Sequence, residues 1–400
     1  MPFRESSPVE ERIALFLEFD SGAFTVVDLC ERYRISRETF YVWKRRRDAG
    51  DERWFEDKSR APDRCPHATP PEVVAALSAL RRRFPRFGPK KIRARLALDH
   101  PGLILPAAST IGDILKREGL IEAKPRRRRP INQGDIVAGS DVPNGEWAID
   151  FKGWFRTADG DRVDPLTVSD TASRYLVAAR ITPPTHDGVR CAMERVFNEV
   201  GLPDAIRSDN GAPFGSIGGG GLSRLSVWFL KLGIEPRYIP PSSPQDNGRH
   251  ERMHRTMKAE TARPPAGTWM QQQVRFNIFR REYNEERPHE ALGQTTPASH
   301  WWPPRRFMPA RIEEPWYDAD HEVRRVRPDG TIKWRGENVF VGEALRREPV
   351  GLAAHERGGH IVRFCGRDLG MIDLNGRFHR FAPPRARLRS APKPANIGGP

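Results

Sequence analysis

The sequence is poor in cysteine and has no long apolar run. Its four cysteines, Cys30, Cys65, Cys191 and Cys365, lie far apart. This spacing argues against a zinc ribbon or a disulfide framework and fits a reducing compartment. No apolar segment approaches the roughly 18 residues that span a bilayer, and the N-terminal segment lacks the apolar centre of a signal peptide. We therefore expect a cytoplasmic protein that has no membrane partner.

Acidic residues are also fewer than basic residues. The chain has 52 Asp and Glu against 67 Lys and Arg, so its formal net charge is +15. An excess of this kind indicates a polyanionic partner, most simply nucleic acid. Apolar residues make up 38% of the 400 residues, which is too many for wholesale disorder. At roughly 150 residues per domain, the length predicts two to four domains.

The first unit, expected over residues 1–60, contains three predicted helices. Apolar periodicity predicts helices over Glu10–Phe19 and Thr25–Tyr33, and Ser36 is a suitable N-cap for a third over Arg37–Asp48. The short turn before the third helix predicts a helix-turn-helix unit. The alternative is a small helical bundle with a solvated basic face. The predicted DNA contacts are Arg37, Thr39, Tyr41, Lys44, Arg45 and Arg47.

A second helix-turn-helix-like unit is expected over residues 70–124. The predicted helices are Pro71–Phe84, Pro89–Leu98 and Thr110–Glu118, the last capped by Ser109. A basic linker follows over residues 125–143, and its arginine run is either a phosphate contact or an ordinary solvated segment.

Residues 144–302 change in character and predict an α/β domain. Strands are expected over Glu146–Trp154, Val163–Ser169 and Arg174–Ile181, the last two joined by a hairpin turn. Helix and strand then alternate, which predicts a mixed sheet. The remaining predicted elements are helices over Gly188–Val200, Leu222–Leu232, Asn247–Thr261 and Thr268–Asn284, and strands over Asp204–Ser208 and Ile234–Ile239.

The C-terminal part of the chain predicts a small all-β domain. Short strands separated by glycine-rich turns over residues 320–381 indicate an SH3-like barrel. The proline-rich, basic residues 383–400 are expected to be disordered. The predicted strands are Thr331–Trp334, Val339–Val341, Gly351–Ala354, His360–Cys365 and Leu369–Asp373.

Three acidic residues of the α/β segment can converge. Asp150 lies near the end of the first strand, Asp209 follows the end of a later strand, and Glu251 lies in the first turns of a helix. Clustered carboxylates repel one another unless cations bridge them, and hard oxygen ligands suit Mg²⁺ or Mn²⁺. Taken singly, each residue also has a purely structural explanation as a turn, strand-end or helix-cap residue.

Five short strings, in order, resemble the catalytic core of insertion-sequence transposases of the retroviral-integrase superfamily. The five strings are Trp147–Lys152; Pro165-Leu166 with Asp170 and Ser173-Arg174-Tyr175; Ser208–Gly211; Pro241 with Gln245–Arg252; and Tyr283–His289 with Ala291-Leu292 and Pro297. The resemblance covers residues 144–300 and implies an RNase H-like fold.

The resemblance also implies a chemistry and its residues. The three metal-binding acids of the superfamily correspond to Asp150, Asp209 and Glu251, which would hold two Mg²⁺ or Mn²⁺ ions for in-line phosphoryl transfer. Arg255 and Lys258 would contact the end of the element. The implied partners are double-stranded DNA, namely terminal inverted repeats and target DNA, and further copies of the chain on that DNA in a bacterial cytoplasm.

One departure from the family pattern is the spacing of the last two acids. Between Asp209 and Glu251 lie 41 residues, more than is common in the superfamily, and the excess coincides with the glycine-rich Gly215–Gly221. We interpret this run as an inserted loop. It is not a phosphate-binding P-loop, because no Gly-Lys-Ser/Thr follows it.

Two other functions are weighed against the transposase. His250-Glu251-Arg252-Met253-His254 spells H-E-x-x-H, the zinc-protease motif, with Glu251 as general base. The helix is strongly cationic, and the motif leaves Asp150 and Asp209 unexplained. The other alternative is a catalytically inactive DNA-binding protein of the same family.

Overall fold

The computed structural model describes residues 7–58, 68–121, 140–215, 222–239, 248–356 and 358–381. The chain divides into two compact units, residues 1–69 and 70–400. Most of the predicted linker, the glycine-rich run, the Gln245–Asn247 string and the C-terminal tail lie outside the described residues. No helix in the described ranges is long and apolar enough to cross a bilayer.

The first unit holds three capped helices, α1 (Pro8–Asp20), α2 (Val26–Arg32) and α3 (Arg37–Asp48). The predicted N-cap at Ser36 forms, since its hydroxyl accepts the Thr39 N–H at 3.1 Å. Thr25, predicted as the first residue of its helix, is the N-cap of α2. A compact apolar core holds the helices together. It consists of Leu15, Phe16, Leu29, Cys30, Phe40 and Trp43.

Three more helices open the second unit of the chain: α4 (Pro71–Arg83), α5 (Pro89–Asp99) and α6 (Ala108–Arg117). The predicted cap at Ser109 is wrong. The residue before α6 is Ala107, which makes no side-chain cap, so Ser109 lies in the first turn. Burial of Ile111, Ile114 and Leu115 against the other two helices stabilises α6 without a cap.

A mixed sheet forms the centre of this unit, and the prediction of a mixed-sheet core is confirmed. The strand order is β5-β4-β1-β6-β7, in which β1, β4 and β5 are antiparallel neighbours and β6 and β7 run parallel to β1. The strands are β1 (Trp147–Phe151), β2 (Phe155–Arg156), β3 (Arg162–Val163), β4 (Pro165–Asp170), β5 (Leu176–Ile181), β6 (Ala205–Ser208) and β7 (Glu235–Tyr238), with β2 and β3 in a separate ribbon.

Helices cover both faces of the sheet. On one face, α7 and α8 pack on Trp147, Ile149 and Val168. On the other, Met253 and Met257 of α9 and Phe276 of α10 join residues of β5 in a second apolar core. Both faces of β1 are therefore buried, as parallel pairing favours. The helices are α7 (His186–Val200), α8 (Arg224–Lys231), α9 (Gly248–Thr261) and α10 (Trp269–Arg281), and a π-helical turn over Glu282–Glu286 extends α10.

The C-terminal strands share one apolar core but form two sheets. Five strands pair in the order β14-β13-β12-β11-β8, and β9 pairs with β10. The sequence analysis did not predict β8 or β14. Strand β8 pairs with β11, which is not its neighbour in sequence, and β14 is a short strand at the edge of the sheet. A closed SH3-like barrel stays a prediction. The strands are β8 (His321–Arg325), β9 (Thr331–Trp334), β10 (Glu337–Phe340), β11 (Pro349–Ala354), β12 (His360–Phe364), β13 (Arg367–Ile372) and β14 (Phe378–Arg380).

Candidate active site

Asp150 lies on β1, and Asp209 directly follows the end of the neighbouring parallel strand β6. Ala148 of β1 is in register with Arg207 of β6, and each aspartate lies two residues further along its own chain. Side chains two residues apart on a strand share a face. The register therefore directs Asp150 and Asp209 toward the same side of the sheet.

Helix α9 covers that side of the sheet. Asp150 is in register with Thr167 of β4, and the Thr167 hydroxyl contacts two histidines of α9. Its Oγ1 lies 2.7 Å from Nε2 of His250 and 2.6 Å from Nε2 of His254. Nδ1 of His250 also lies 3.1 Å from the Ser169 hydroxyl, two residues further along β4. The helix that carries Glu251 is thus fixed to β4, the strand that pairs with β1 at Asp150.

Burial keeps both histidines neutral. His250 is 4% and His254 is 3% exposed. Desolvation, together with the charge of Arg207, lowers the pKa of His250 to about 3. Desolvation, His250 and Lys152 lower the pKa of His254 to about 2.

Glu251 lies on the exposed side of the same helix and faces a cationic groove of about 430 Å³. A carboxylate among several cationic side chains suits a site where a divalent ion and a phosphate meet. The predicted DNA contacts Arg255 and Lys258 lie in this groove with Glu251. Its lining is Lys152, Glu251, His254, Arg255, Lys258, Ala259 and Arg263.

The structure places Asp150 beside two histidines of α9. Nδ1 of His254 lies 3.8 Å from an Oδ of Asp150. One ligand atom each from Asp150, His250 and His254 all lie within 4.8 Å of one another. Within the described ranges, neither Asp209 nor Glu251 belongs to such a three-residue group. The acidic triad stays a prediction.

Asp209 begins the turn that follows β6. Its Oδ1 accepts the Gly211 N–H at 3.2 Å, so the Ser208–Gly211 string forms a tight turn. Desolvation raises the pKa of Asp209 above its ordinary value, against the effect of the Gly211 hydrogen bond. A bound cation would offset this desolvation.

Two of the resembling strings have structural roles. Asp170 is buried and accepts hydrogen bonds from the backbone N–H groups of Ser173 and Asn144, at 2.7 and 2.8 Å, so it closes the β4–β5 hairpin. In the Tyr283–His289 string, Arg287 pairs with Glu260 of α9. This string therefore fixes α10 and its π-helical turn against the far end of the helix that bears Glu251.

The predicted contacts of α3 are distributed unevenly. Arg37, Thr39, Tyr41 and Arg45 are exposed. Lys44 pairs with Asp48 at 2.7 Å on the same helix. Arg47 bonds both carboxylate oxygens of Asp20, at 3.0 and 2.5 Å, and so ties α3 to α1. Arg47 thus has a structural partner on α1, and Arg37, Thr39, Tyr41, Lys44 and Arg45 stay predicted DNA contacts.

The chain is similar to an integrase core and to proteins of insertion elements. The family model "Integrase core domain" matches residues 232–297, which include Glu251. An uncharacterized 39.2 kDa protein of insertion element IS476 from Xanthomonas euvesicatoria is 28% identical over 241 residues, which are 57% of this chain and 65% of that protein. An uncharacterized 31.7 kDa protein of IS407 from Burkholderia multivorans is 27% identical over 188 residues, 46% of this chain and 65% of the relative. The resemblance stated from the sequence is confirmed.

The matches cover parts of the chain rather than its whole length. The chain spans 65% of the length of each of these two relatives, just under two thirds. Among solved structures, a simian T-cell lymphotropic virus intasome aligns over 71% of this chain and 91% of its own, at 16% identity and a TM-score of 0.37. An HTLV-2 integrase catalytic core in complex with magnesium covers 41% of this chain and 98% of its own, at 16% identity and a TM-score of 0.30. The description of the fold therefore rests on the sheet topology and not on these two structural matches.

The sequence analysis missed Thr167 and Ser169, and it considered His250 and His254 only as protease ligands. The signal was present. Thr167 and Ser169 alternate with apolar residues along β4, and the two histidines are four residues apart on one helix. Neither pattern indicates that strand β4 and helix α9 pack against each other.

Proposed function

We propose that the chain is a DNA transposase with an RNase H-like core that cuts DNA and joins the freed strand to a target. The observation that carries this is the register of Ala148 with Arg207 on paired parallel strands, which puts Asp150 and Asp209, each two residues further on, at the same edge of the sheet, beside the helix of Glu251. The integrase core match and the similarity to insertion-element proteins support it.

Asp150, Asp209 and Glu251 would hold two Mg²⁺ or Mn²⁺ ions, for which carboxylate oxygens are the fitting donors. Bound there, the ions would stabilise the attacking and leaving oxygens of an in-line displacement, without a covalent protein intermediate. Glu251 would turn its side chain inward from the groove to join the two aspartates. Arg255 and Lys258 would bind backbone phosphates beside it and keep the strand in line with the acids.

The helical units α1–α3 and α4–α6 would act as helix-turn-helix modules that bind the element ends. The small β domain would add contacts to DNA or to another copy of the chain, since two ends must be joined together. These assignments rest on the exposed basic side chains of α3 and on the net charge of +15.

The test is a strand-transfer assay with the terminal repeats that flank the gene, in Mg²⁺ and in chelator. We expect Asp150→Asn, Asp209→Asn and Glu251→Gln each to abolish product, and chelator to do the same. Glu199→Gln is the matched control, since Glu199 pairs with Arg180 away from this face. Strand transfer that persists in the three variants would reject the assignment.

The same variants test the alternatives. A zinc protease would bind one ion through His250 and His254 and would use Glu251 as general base, whereas Glu251 lies on the exposed side of the helix, among the cationic side chains of the groove. Peptide hydrolysis that survives Asp209→Asn would favour the protease. DNA binding with no metal-dependent nicking by the unsubstituted protein would identify an inactive DNA-binding protein.

A further inference from the structure

We propose that Asp150, His250 and His254 form a separate site for one transition-metal ion of the Zn²⁺ class. The site overlaps the acidic triad only at Asp150. It differs from a Mg²⁺ site in chemistry, since two of its three ligands are imidazole nitrogens. Imidazole suits Zn²⁺, Co²⁺ and Ni²⁺, whereas Mg²⁺ takes oxygen ligands.

The distances suit such an ion. One ligand atom of each residue lies within 4.8 Å of the other two. Two ligands at about 2.1 Å from a tetrahedral Zn²⁺ stand about 3.4 Å apart. His254 Nδ1 and the Asp150 carboxylate oxygen are 3.8 Å apart, so a shift of a few tenths of an ångström brings them onto one ion.

The contacts of Thr167 are compatible with the tautomer that metal binding needs. Its hydroxyl has one proton, and the backbone carbonyl of Asp150, 3.1 Å away, can only accept it. With the proton on that bond, Thr167 Oγ1 accepts from Nε2 of both histidines. In that tautomer of the neutral ring, each Nδ1 has a lone pair for the ion.

The Thr167 hydroxyl is thus an outer-shell partner of both ligands. Metal-bound histidines characteristically donate their second ring N–H to an oxygen, which orients the ring. His254 has its Nδ1 directed at Asp150. Both ring nitrogens of His250 contact hydroxyls, Nε2 that of Thr167 at 2.7 Å and Nδ1 that of Ser169 at 3.1 Å, and an ion bound at Nδ1 would replace the second contact.

The surroundings favour one buried ion with a single opening. Both histidines are buried, and the Asp150 side chain is 23% exposed. The ion would carry a charge that Asp150 partly neutralises, and a water could take the fourth position from the groove side.

The test uses the full-length, tag-free chain and the metals alone. We expect ZnCl₂ to bind with one-to-one stoichiometry in calorimetry while Mg²⁺ is in excess, and CoCl₂ to give the intense visible absorption of a four-coordinate site. His250→Asn, His254→Asn and Asp150→Asn should each weaken Zn²⁺ binding by about 100-fold or more, since even outer-shell losses cost about 10–100-fold.

Two controls keep the result decisive. His321→Asn removes a ligand from the group of His321 with the exposed Asp318 and Asp320, and it should leave the Zn²⁺ affinity unchanged. Thr167→Ser keeps the outer-shell hydroxyl and should bind normally, whereas Thr167→Val should lose about 10–100-fold. If a histidine variant fails to fold, as judged by circular dichroism, the comparison of Thr167→Ser with Thr167→Val tests the proposal instead.

Unchanged Zn²⁺ affinity in His254→Asn, or loss of binding in His321→Asn, would overturn the proposal. So would a Zn²⁺ affinity no greater than that for Mg²⁺. A further consequence rests on the proposed function: Zn²⁺ bound through Asp150 would displace Mg²⁺ and inhibit strand transfer. The binding measurements do not depend on activity, so a protein with no strand transfer would still show the site.

Discussion

The side-chain amide of Asn284 takes the place of a neighbouring strand for Leu176. Its Oδ1 accepts the Leu176 N–H at 2.8 Å and its Nδ2 donates to the Leu176 carbonyl at 3.0 Å. Gln273 of α10 does the same for the N–H of Ile181 and the carbonyl of Ala179, both at 2.8 Å. Strand β5 is the edge of the central sheet, so these two amides close an edge that would otherwise pair with another chain.

Removal of the Asn284 amide should destabilise the fold. In Asn284→Ala, the buried N–H and carbonyl of Leu176 lose their partners, which costs about 1–3 kcal/mol of unfolding free energy. Urea denaturation measures the change. Asn198→Ala is the control, since Asn198 is exposed and bonds only a carbonyl of its own helix, and it should stay within about 0.5 kcal/mol of the unsubstituted protein. Equal stability of the two variants would contradict this role.

The buried carboxylate of Glu146, which pairs with Arg207 and Arg237, should contribute strongly to the free energy of unfolding. Glu146 is 1% exposed and lies 3.3 Å from Arg207 and 3.1 Å from Arg237. Glu146→Ala leaves the charge of Arg207 buried and unpaired, at a cost of about 3–5 kcal/mol. Glu235→Ala removes the exposed partner of the same Arg237 and should cost about 0–1 kcal/mol. Urea denaturation of the two variants compares the buried and the exposed carboxylate directly.

The exposed arginines of α3 should contribute to DNA affinity through phosphate contacts. Arg37→Ala and Arg45→Ala should each weaken binding to a fluorescent duplex of random sequence and lower the slope of log affinity against log salt by about 1. Arg47→Ala should instead lower thermal stability, since Arg47 bonds Asp20. Fluorescence anisotropy across a salt series checks the first two. An unchanged salt slope in both would show that this face does not contact DNA.

Acid should destabilise the protein through a half-buried histidine. Desolvation, with the charges of Lys91, Arg287 and Arg174, lowers the pKa of His289 from 6.5 to about 3. The unfolded chain takes up this proton below pH 6.5 and the folded chain does not until about pH 3. His289 therefore contributes stability above pH 6.5 that is lost as pH falls, by up to about 1.4 kcal/mol per pH unit.

His289→Gln removes this proton uptake. Its unfolding free energy should fall less steeply between pH 6.5 and pH 4.5 than that of the unsubstituted protein, whatever its absolute stability. Urea denaturation at several pH values gives the two slopes. Parallel curves would show that the ring is not protected from protonation in the folded state.

Local signals in the sequence predicted most helices within a few residues. Ser36 and Thr25 specify their helices because an N-cap acts only on its own first turn. The first strand was predicted to run to Trp154, but β1 ends at Phe151. Strands β8 and β14 were missed because their pairing partners, not their own residues, make them strands.

The candidate site could be predicted only in part. The sequence placed Asp150 near the end of its strand and Glu251 in the first turns of its helix. The resemblance added Arg255 and Lys258, which lie with Glu251 in one groove of the structure. The contact of Thr167 with the histidines could not be predicted, because it joins residues more than 80 positions apart, and no short-range period reports such a contact. Spacing on a helix tells which side chains share a face, and the tertiary packing decides what that face meets.

Few residues of helix α9 can be substituted without loss of a contact. In its first turns, one side of the helix binds Thr167 and a second packs Met253 and Met257 into the apolar core. The third side lines the cationic groove with Glu251. A library randomised over residues 250–258 should thus return functional clones that vary chiefly at the exposed Arg252 and the half-buried Thr256, which belong to none of these three sides. Homologues that diverge elsewhere should preserve this stretch almost letter for letter.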